Sequence, residues 1–313
     1  MSFKHVDIHQ FNKVLIVYNR NSGKQIFASM FAKVNEVFKY LKQDLGAKVV
    51  DIEHIFRFSE LDAIVEKAVS EKVDWVIIAG GDGTIRALIE KFQAAGHIPY
   101  FSIYSAGTVN LVAKELMMNP EPLKWFRRVS KGVEVPVYMG KANGRSFITV
   151  AGIGFDSLVI DNVNETTKKL LSKFAYVVEG GKQIRKEMLF NNWKYDFAVR
   201  FDDEDCVYKA SSIIVGKSRY YAGRYNLFRG ANLSEGKLHV ALFTGNKQAQ
   251  FARYATLIGL EAIGIDPTII VKQAKKLYIT ANVGEFPVEL DGDVVTETPL
   301  EIEIDGEPIK FIG

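Results

Sequence analysis

The chain has 313 residues, 48% hydrophobic and 25% charged, a length that suits two domains with a core in each. The 40 Lys and Arg against 37 Asp and Glu leave a net charge of +3, too small to point to nucleic acid, and the single Cys206 excludes a disulfide framework and a Cys-based zinc site. The start MSFKHVDIHQ lacks the apolar stretch of a secretory leader and no later run approaches the ~20 apolar residues of a membrane span, so a cytoplasmic protein that meets membranes only at their surface is expected.

In chain order, Val14 to Tyr18 is a continuous apolar run that predicts a buried strand. The loop NRNSGK (Asn19 to Lys24) follows, and Phe27, Phe31, Val34, Phe38 and Leu41 then recur at helical spacing up to Gly46. Val49 to Ile55 reads as the next strand, and Ser59 with Asp62 reads as a capping box opening a helix that carries Leu61, Ile64, Val65, Ala68 and Val69. Trp75 to Ala79 is again strand-like. After GGDGT (Gly80 to Thr84), Ile85, Leu88, Ile89 and Phe92 form one helical face that Gly96 ends. A short strand, Tyr100 to Ile103, leads into SAGTVN (Ser105 to Asn110). This alternation predicts an α/β domain over residues 1–134 whose mainly parallel sheet is covered by helices on both faces.

Residues 135–304 read differently. Val135 to Ala142, the turn Asn143-Gly144 and Ser146 to Ala151 predict a hairpin, because Asn-Gly supplies the positive φ angles of a type I′ turn. Further strands are expected at Tyr195 to Phe201, Val207 to Gly216, Leu238 to Phe243, Lys276 to Ala281 and Phe286 to Leu290. Two helices interrupt them, over residues 166–185 and 248–260. Gly132 and Pro136 punctuate the boundary.

Three loops carry candidate chemistry. In GGDGT, Gly80, Gly81 and Gly83 let the backbone approach a ligand, and the following helix N-terminus favours an anion such as phosphate. A carboxylate inside such a loop, Asp82, needs a reason, which magnesium or a proton to abstract would supply; the plainer alternative is a turn whose Asp82 caps a helix. In NRNSGK, which includes Arg20 and Asn21, Asn19, Ser22 and the backbone at Gly23 could hold phosphate oxygens with Lys24 as a point charge, although the loop is no GxxxxGK[ST] and reads equally as an ordinary turn. In SAGTVN, Gly107, Thr108 and Asn110 could contact a nucleotide or cap the next helix. All three loops end apparent strands of one sheet, and in an α/β fold those ends share the ligand-binding edge. The sequence Asp291-Gly292-Asp293 after FPVEL reads, by itself, as a hairpin turn.

NRNSGK, GGDGT, GTVNLVAKEL, GIGFD, RYYAGRYNLFRGANLSEGKL and LDGD, in that order, resemble the diacylglycerol kinase catalytic-domain family in its bacterial lipid-kinase branch, over nearly the whole chain. The resemblance implies ATP with Mg2+ between an NAD kinase-like α/β domain and a β-sandwich domain, and transfer of the γ-phosphoryl to a lipid hydroxyl. It places Asn19 to Gly23, Gly81 to Thr84 and Thr108 on nucleotide positions, and Asp291 and Asp293 on the acids of proton abstraction and metal handling. It implies a C-terminal strand, about residues 305–313, returning to the first domain. It also implies a structural magnesium beside two adjacent acids, where this chain reads Ser234-Glu235-Gly236 and offers only Glu235. Taken with Asp82, this places the expected catalytic acids, Asp82, Asp291 and Asp293, around the transferred phosphoryl.

The chain departs from the family at GTVNL, where Val109 and Leu111 replace a Gly and an Asp, and at Asp293, where Glu is frequent. The basic stretch over residues 168–188 reads either as a membrane-surface helix or as a helix packed on its own domain. An exposed sandwich edge could pair two chains as a homodimer. The rival readings are an NAD kinase-like enzyme, which shares GGDGT, and a non-catalytic nucleotide or lipid sensor on the same fold.

Overall fold

The computed structural model describes residues 4–22, 27–154, 196–223 and 225–313, which belong to two units, Met1–Val137 with Glu307–Gly313, and Tyr138–Gly306. The expected helix over residues 166–185, the basic stretch around it, Gly23 and Lys24 lie outside the described residues.

The first unit begins with β1 (Lys4–His5), β2 (Val14–Asn19), α1 (Phe27–Leu45), β3 (Val49–Ile55) and α2 (Leu61–Ser70). It continues with β4 (Trp75–Gly80), α3 (Asp82–Ala94), β5 (Tyr100–Ser105), α4 (Leu111–Glu115) and α5 (Pro122–Val129), and β6 (Val133–Ala142) leads out of it. The second unit holds β7 (Arg145–Phe147), β8 (Val150–Ile153), β9 (Phe197–Phe201), β10 (Val207–Ala210), β11 (Ser212–Gly216), β12 (Tyr220–Tyr221) and β13 (Tyr225–Asn226). After these come β14 (Leu238–Phe243), α6 (Gln248–Gly259), β15 (Ile269–Ala274), β16 (Lys276–Ala281), β17 (Pro287–Leu290), β18 (Asp293–Glu297) and β19 (Leu300–Ile312), whose last residues belong to the first unit.

In the first unit the strands run in the order β3, β2, β4, β5, all parallel, with Phe311 of β19 joining in parallel opposite Phe101. Every residue of β2 and β4 is buried, which explains why both read as unbroken apolar runs. The chain goes from β2 outward to β3, then crosses back to β4 and β5. Right-handed crossovers therefore send α1 to one face and α2 and α3 to the other. Side-chain contacts agree: Tyr40 of α1 stacks on Phe126 of α5, and Lys91 of α3 pairs with Asp62 of α2 at 2.6 Å. A buried chain of hydrogen bonds fixes the last strand: Trp75 Nε1 donates to Ser102 Oγ at 3.1 Å, and Ser102 Oγ to the Ile312 carbonyl at 2.7 Å.

The second unit is an antiparallel sandwich. One sheet has the order β15, β14, β11, β8, β17, β18. The other contains β10, β9, β16 and the first residues of β19, with the β6–β7 hairpin on the same sheet. Phe147, Phe197, Phe201, Ile213, Leu242, Leu277, Leu290 and Ile302 lie in the core built from both sheets.

Three expectations are corrected. Ser146 to Ala151 is not one strand: β7 and β8 belong to different sheets, because the N–H groups of Ile148, Thr149 and Val150 go to the Asp291 carboxylate. Val207 to Gly216 also divides, into β10 and β11, at Ser211, which is buried and donates from Oγ to the Phe243 carbonyl at 2.9 Å. The helix α2 has no Ser59 capping box. Glu60 instead turns its carboxylate back onto Phe56 N at 2.7 Å, and Asp62 is engaged by Lys91.

Candidate active site

The loops after β2, β4 and β5 meet at one sheet edge. Because β2 feeds a helix on one face and its parallel neighbour β4 feeds a helix on the other, the gap between their carboxyl ends is the topological switch point, where open α/β sheets bind ligands.

Asn19, the last residue of β2, is 8% exposed and donates from Nδ2 to Thr84 Oγ1 at 2.8 Å. Its Oδ1 accepts from Asn21 N at 2.9 Å, its carbonyl from Ser22 N at 3.2 Å, and Ser22 Oγ lies 3.4 Å from Thr84 Oγ1. Asn19, Ser22 and Thr84 thus tie NRNSGK to GGDGT. Asn21 donates to the Phe56 carbonyl, and the Arg20 guanidinium lies over the rings of Phe31 and Phe56, 5.5 and 5.0 Å from their centroids. The Arg20 side chain is therefore stacked on an aromatic pair.

Gly81 caps α3 with ordinary extended angles, and its backbone packs on Gly107. A Cβ on Gly107 would stand 2.5 Å from Gly81 Cα and 2.6 Å from Asn110 Oδ1, so no side chain fits between the two loops. Gly80 is equally constrained, since a Cβ there would meet Thr84 Cβ at 2.8 Å. Asn110, in the left-handed region at φ 53°, closes its own loop: Oδ1 accepts from Gly107 N at 2.9 Å and Nδ2 donates to the Gly107 carbonyl at 2.7 Å. Gly83 lies in the first turn of α3, and Thr108 is exposed at the tip of its loop.

Asp82 does not cap its own helix. Its carboxylate accepts from Leu111 N at 2.8 Å and Val112 N at 3.0 Å, so it caps α4 and staples GGDGT to GTVNL. Leu111, the residue after Asn110, is buried in the core.

In the second unit, Asp291 at φ 51° and Gly292 at φ 96° form the two-residue turn between β17 and β18. The Asp291 carboxylate is a clasp: it accepts from Ile148 N and Thr149 N at 2.8 Å, Thr149 Oγ1 at 2.6 Å and Val150 N at 3.1 Å. Asp293 opens β18 opposite Leu290, half-buried. Glu235 sits in another turn, where its Oε1 accepts from Asn232 Nδ2 at 2.9 Å. Among the described residues, no three of His, Cys, Asp and Glu converge as a cation cage.

The sequence reading passed over Thr149 and Lys217. Thr149 holds Asp291 by its N–H and hydroxyl, and its carbonyl accepts from Lys217 N at 2.8 Å. Lys217 is fully buried, and burial pulls its ammonium down to about 8 against the opposing pull of Glu235. A lysine directly after the apolar run SIIVG was the available signal.

Residues 13–142 match the model of the diacylglycerol kinase catalytic domain, and residues 149–313 match that of the YegS C-terminal NAD kinase beta sandwich-like domain. The chain belongs to the diacylglycerol kinase family. It is a kinase, a phosphotransferase that uses a nucleotide. Among related members, the diacylglycerol kinase of Staphylococcus carnosus (strain TM300) is 25% identical over 294 residues, covering 91% of this chain and 89% of the relative. That of Bacillus subtilis (strain 168) is 25% identical over 280 residues, covering 89% and 88%. A solved diacylglycerol kinase from Bacillus anthracis str. Sterne shares the fold, with TM-score 0.75 and 97% of each chain covered at 21% identity. Within this kinase family the glycine contact makes a direct expectation: Gly107→Ala should lose ~1–3 kcal/mol of stability, because the overlap is with backbone and cannot relax by a rotamer change. Urea unfolding checks it, and a stability equal to the parent's would contradict the packing.

Proposed function

We propose that this kinase transfers the γ-phosphoryl group of ATP to the hydroxyl of a membrane lipid, a diacylglycerol or a close relative of one. The observation that carries the nucleotide half is the stapled edge of the first unit. Gly81 and Gly107 are in backbone contact, Asn19 and Ser22 reach Thr84, and the N-terminus of α3 opens at the switch point. This arrangement fits a chain of phosphates, with backbone N–H groups and small polar side chains as donors. Magnesium, carried in on the phosphates and completed by one or two carboxylates, would neutralise charge on the transferring group.

The remaining steps belong to the chain's own residues. Asp82 fixes the spacing of the second and third loops through α4. Asp291 locks the turn of the second unit onto Ile148, Thr149 and Val150. Asp293, two residues on in that turn, takes the proton of the lipid hydroxyl.

The test is transfer of labelled phosphate from ATP with a panel of diacylglycerol, monoacylglycerol, phosphatidylglycerol, a sphingoid base and ceramide in detergent micelles. Labelled diacylglycerol is the expected product. Label moving to NAD instead would establish the NAD kinase-like alternative, and ATP binding without turnover on any acceptor would establish a sensor.

A further inference from the structure

The turn that links Asn232 to Lys237 is where family resemblance implies a structural divalent ion, and its residues do not fit one. The turn brings a single carboxylate, and that group is committed: Glu235 Oε1 accepts from Asn232 Nδ2 at 2.9 Å, while Oε2 lies 3.5 Å from Nε2 of the buried His239. Ser234 adds no charge, and its N–H is bound by Asn232 Oδ1 at 3.0 Å. Magnesium asks for near-octahedral oxygen ligands, and an all-protein site without several carboxylates is a poor one.

The main-chain oxygens of the turn nevertheless converge on a cation. Lys217 Nζ donates to the carbonyl of Glu235 and, at 2.7 Å, to that of Lys237. The ring of Tyr138 stands 5.9 Å from the same nitrogen, and Tyr138 N donates to the Leu233 carbonyl at 2.8 Å, which ties the Tyr138 backbone to the turn. Lys217 is 0% exposed, so its ammonium is held within the protein and takes these carbonyls as hydrogen-bond partners.

We infer that the ammonium of Lys217 is the built-in cation of the 232–237 turn, tying together the carbonyls that a divalent ion would otherwise bind. An ammonium already on two carbonyls repels a second cation at the same point, and the low local dielectric strengthens that repulsion. The arrangement also reaches the proposed base loop. Lys217 N bonds the Thr149 carbonyl, and Thr149 holds Asp291, so the order of this region does not depend on dissolved metal. The inference stands independently of which lipid the enzyme uses.

The experiment is thermal unfolding of the nucleotide-free full chain in EDTA and in millimolar magnesium chloride, for the parent, Glu235→Gln and Lys217→Met. The parent is expected to unfold at the same temperature in both solutions. Lys217→Met, which keeps length but removes the donor shared by two carbonyls and the charge between them, is expected to unfold roughly 5 °C or more lower. A magnesium-dependent rise in the parent that Glu235→Gln abolishes would overturn the inference, as would Lys217→Met unfolding like the parent. Should Lys217→Met fail to fold, the parent and Glu235→Gln decide by themselves.

Discussion

Asp293→Asn should lower kcat by about 10²–10⁴-fold, or ~3–5 kcal/mol of transition-state stabilisation, the usual contribution of a positioned general base. Asparagine keeps the size and cannot take the proton. The geometry separates the two acids of the turn. The Asp291 carboxylate accepts three backbone N–H groups and a hydroxyl, so its work is to hold the loop. Asp293 stands on the other side of Gly292, half-buried at the start of β18, on a frame made rigid by its neighbour. ATP affinity should change little, since the nucleotide reading rests on residues of the other unit. Single-turnover rates and ATP affinity, measured on the same preparation, decide the assignment. Near-normal chemistry in Asp293→Asn would remove the base assignment and leave Asp293 as a residue beside the turn.

Gly81→Asp should abolish measurable ATP binding, a loss of at least ~100-fold or ~2.7 kcal/mol, while leaving the fold intact. Both halves follow from the position of Gly81. Its angles, φ −96° and ψ 179°, suit any residue, and a Cβ there would meet Gly107 Cα at 3.4 Å, a tight but tolerable contact. As the N-cap of α3 it would even be improved by Asp, whose carboxylate accepts N–H groups that Gly leaves to solvent. Those are the donors proposed for phosphate, and a fixed negative charge beside a polyphosphate is repelled. Calorimetry with ATP and a melting curve test the two halves together. A folded variant that binds ATP as the parent does would remove the phosphate from this loop.

The two units differ in how far their sequence could be read. In the first, β2 and β4 are buried on both faces, so each appears as an apolar run between helices of period 3.6. Such local patterns made the α/β class and the three glycine loops legible. The resemblance over six motifs identified the kinase family, which the family models then matched. In the sandwich, β7 and β8 read as one strand and β10 and β11 as another, because neither bend, at Ile148-Thr149 or at Ser211, carries a Gly or Pro to mark it. What decides the break is a partner far away in sequence, such as Asp291 for Ile148 to Val150.

The sequence by itself determined the periodicities, the turn at Asp291-Gly292 and the grouping of small polar residues after the first three strands. Only the tertiary structure decided what the acids do. Asp82, which local spacing assigns to its own helix or to a ligand, caps α4 across 29 residues, and Asp291 clasps a loop 141 to 143 residues away. Lys217, an ordinary lysine in the sequence, becomes a buried charge on two carbonyls. A carboxylate or ammonium goes wherever unpaired N–H groups or carbonyls are brought to it. That supply depends on which chain ends the fold collects at one place, and local sequence carries no record of it.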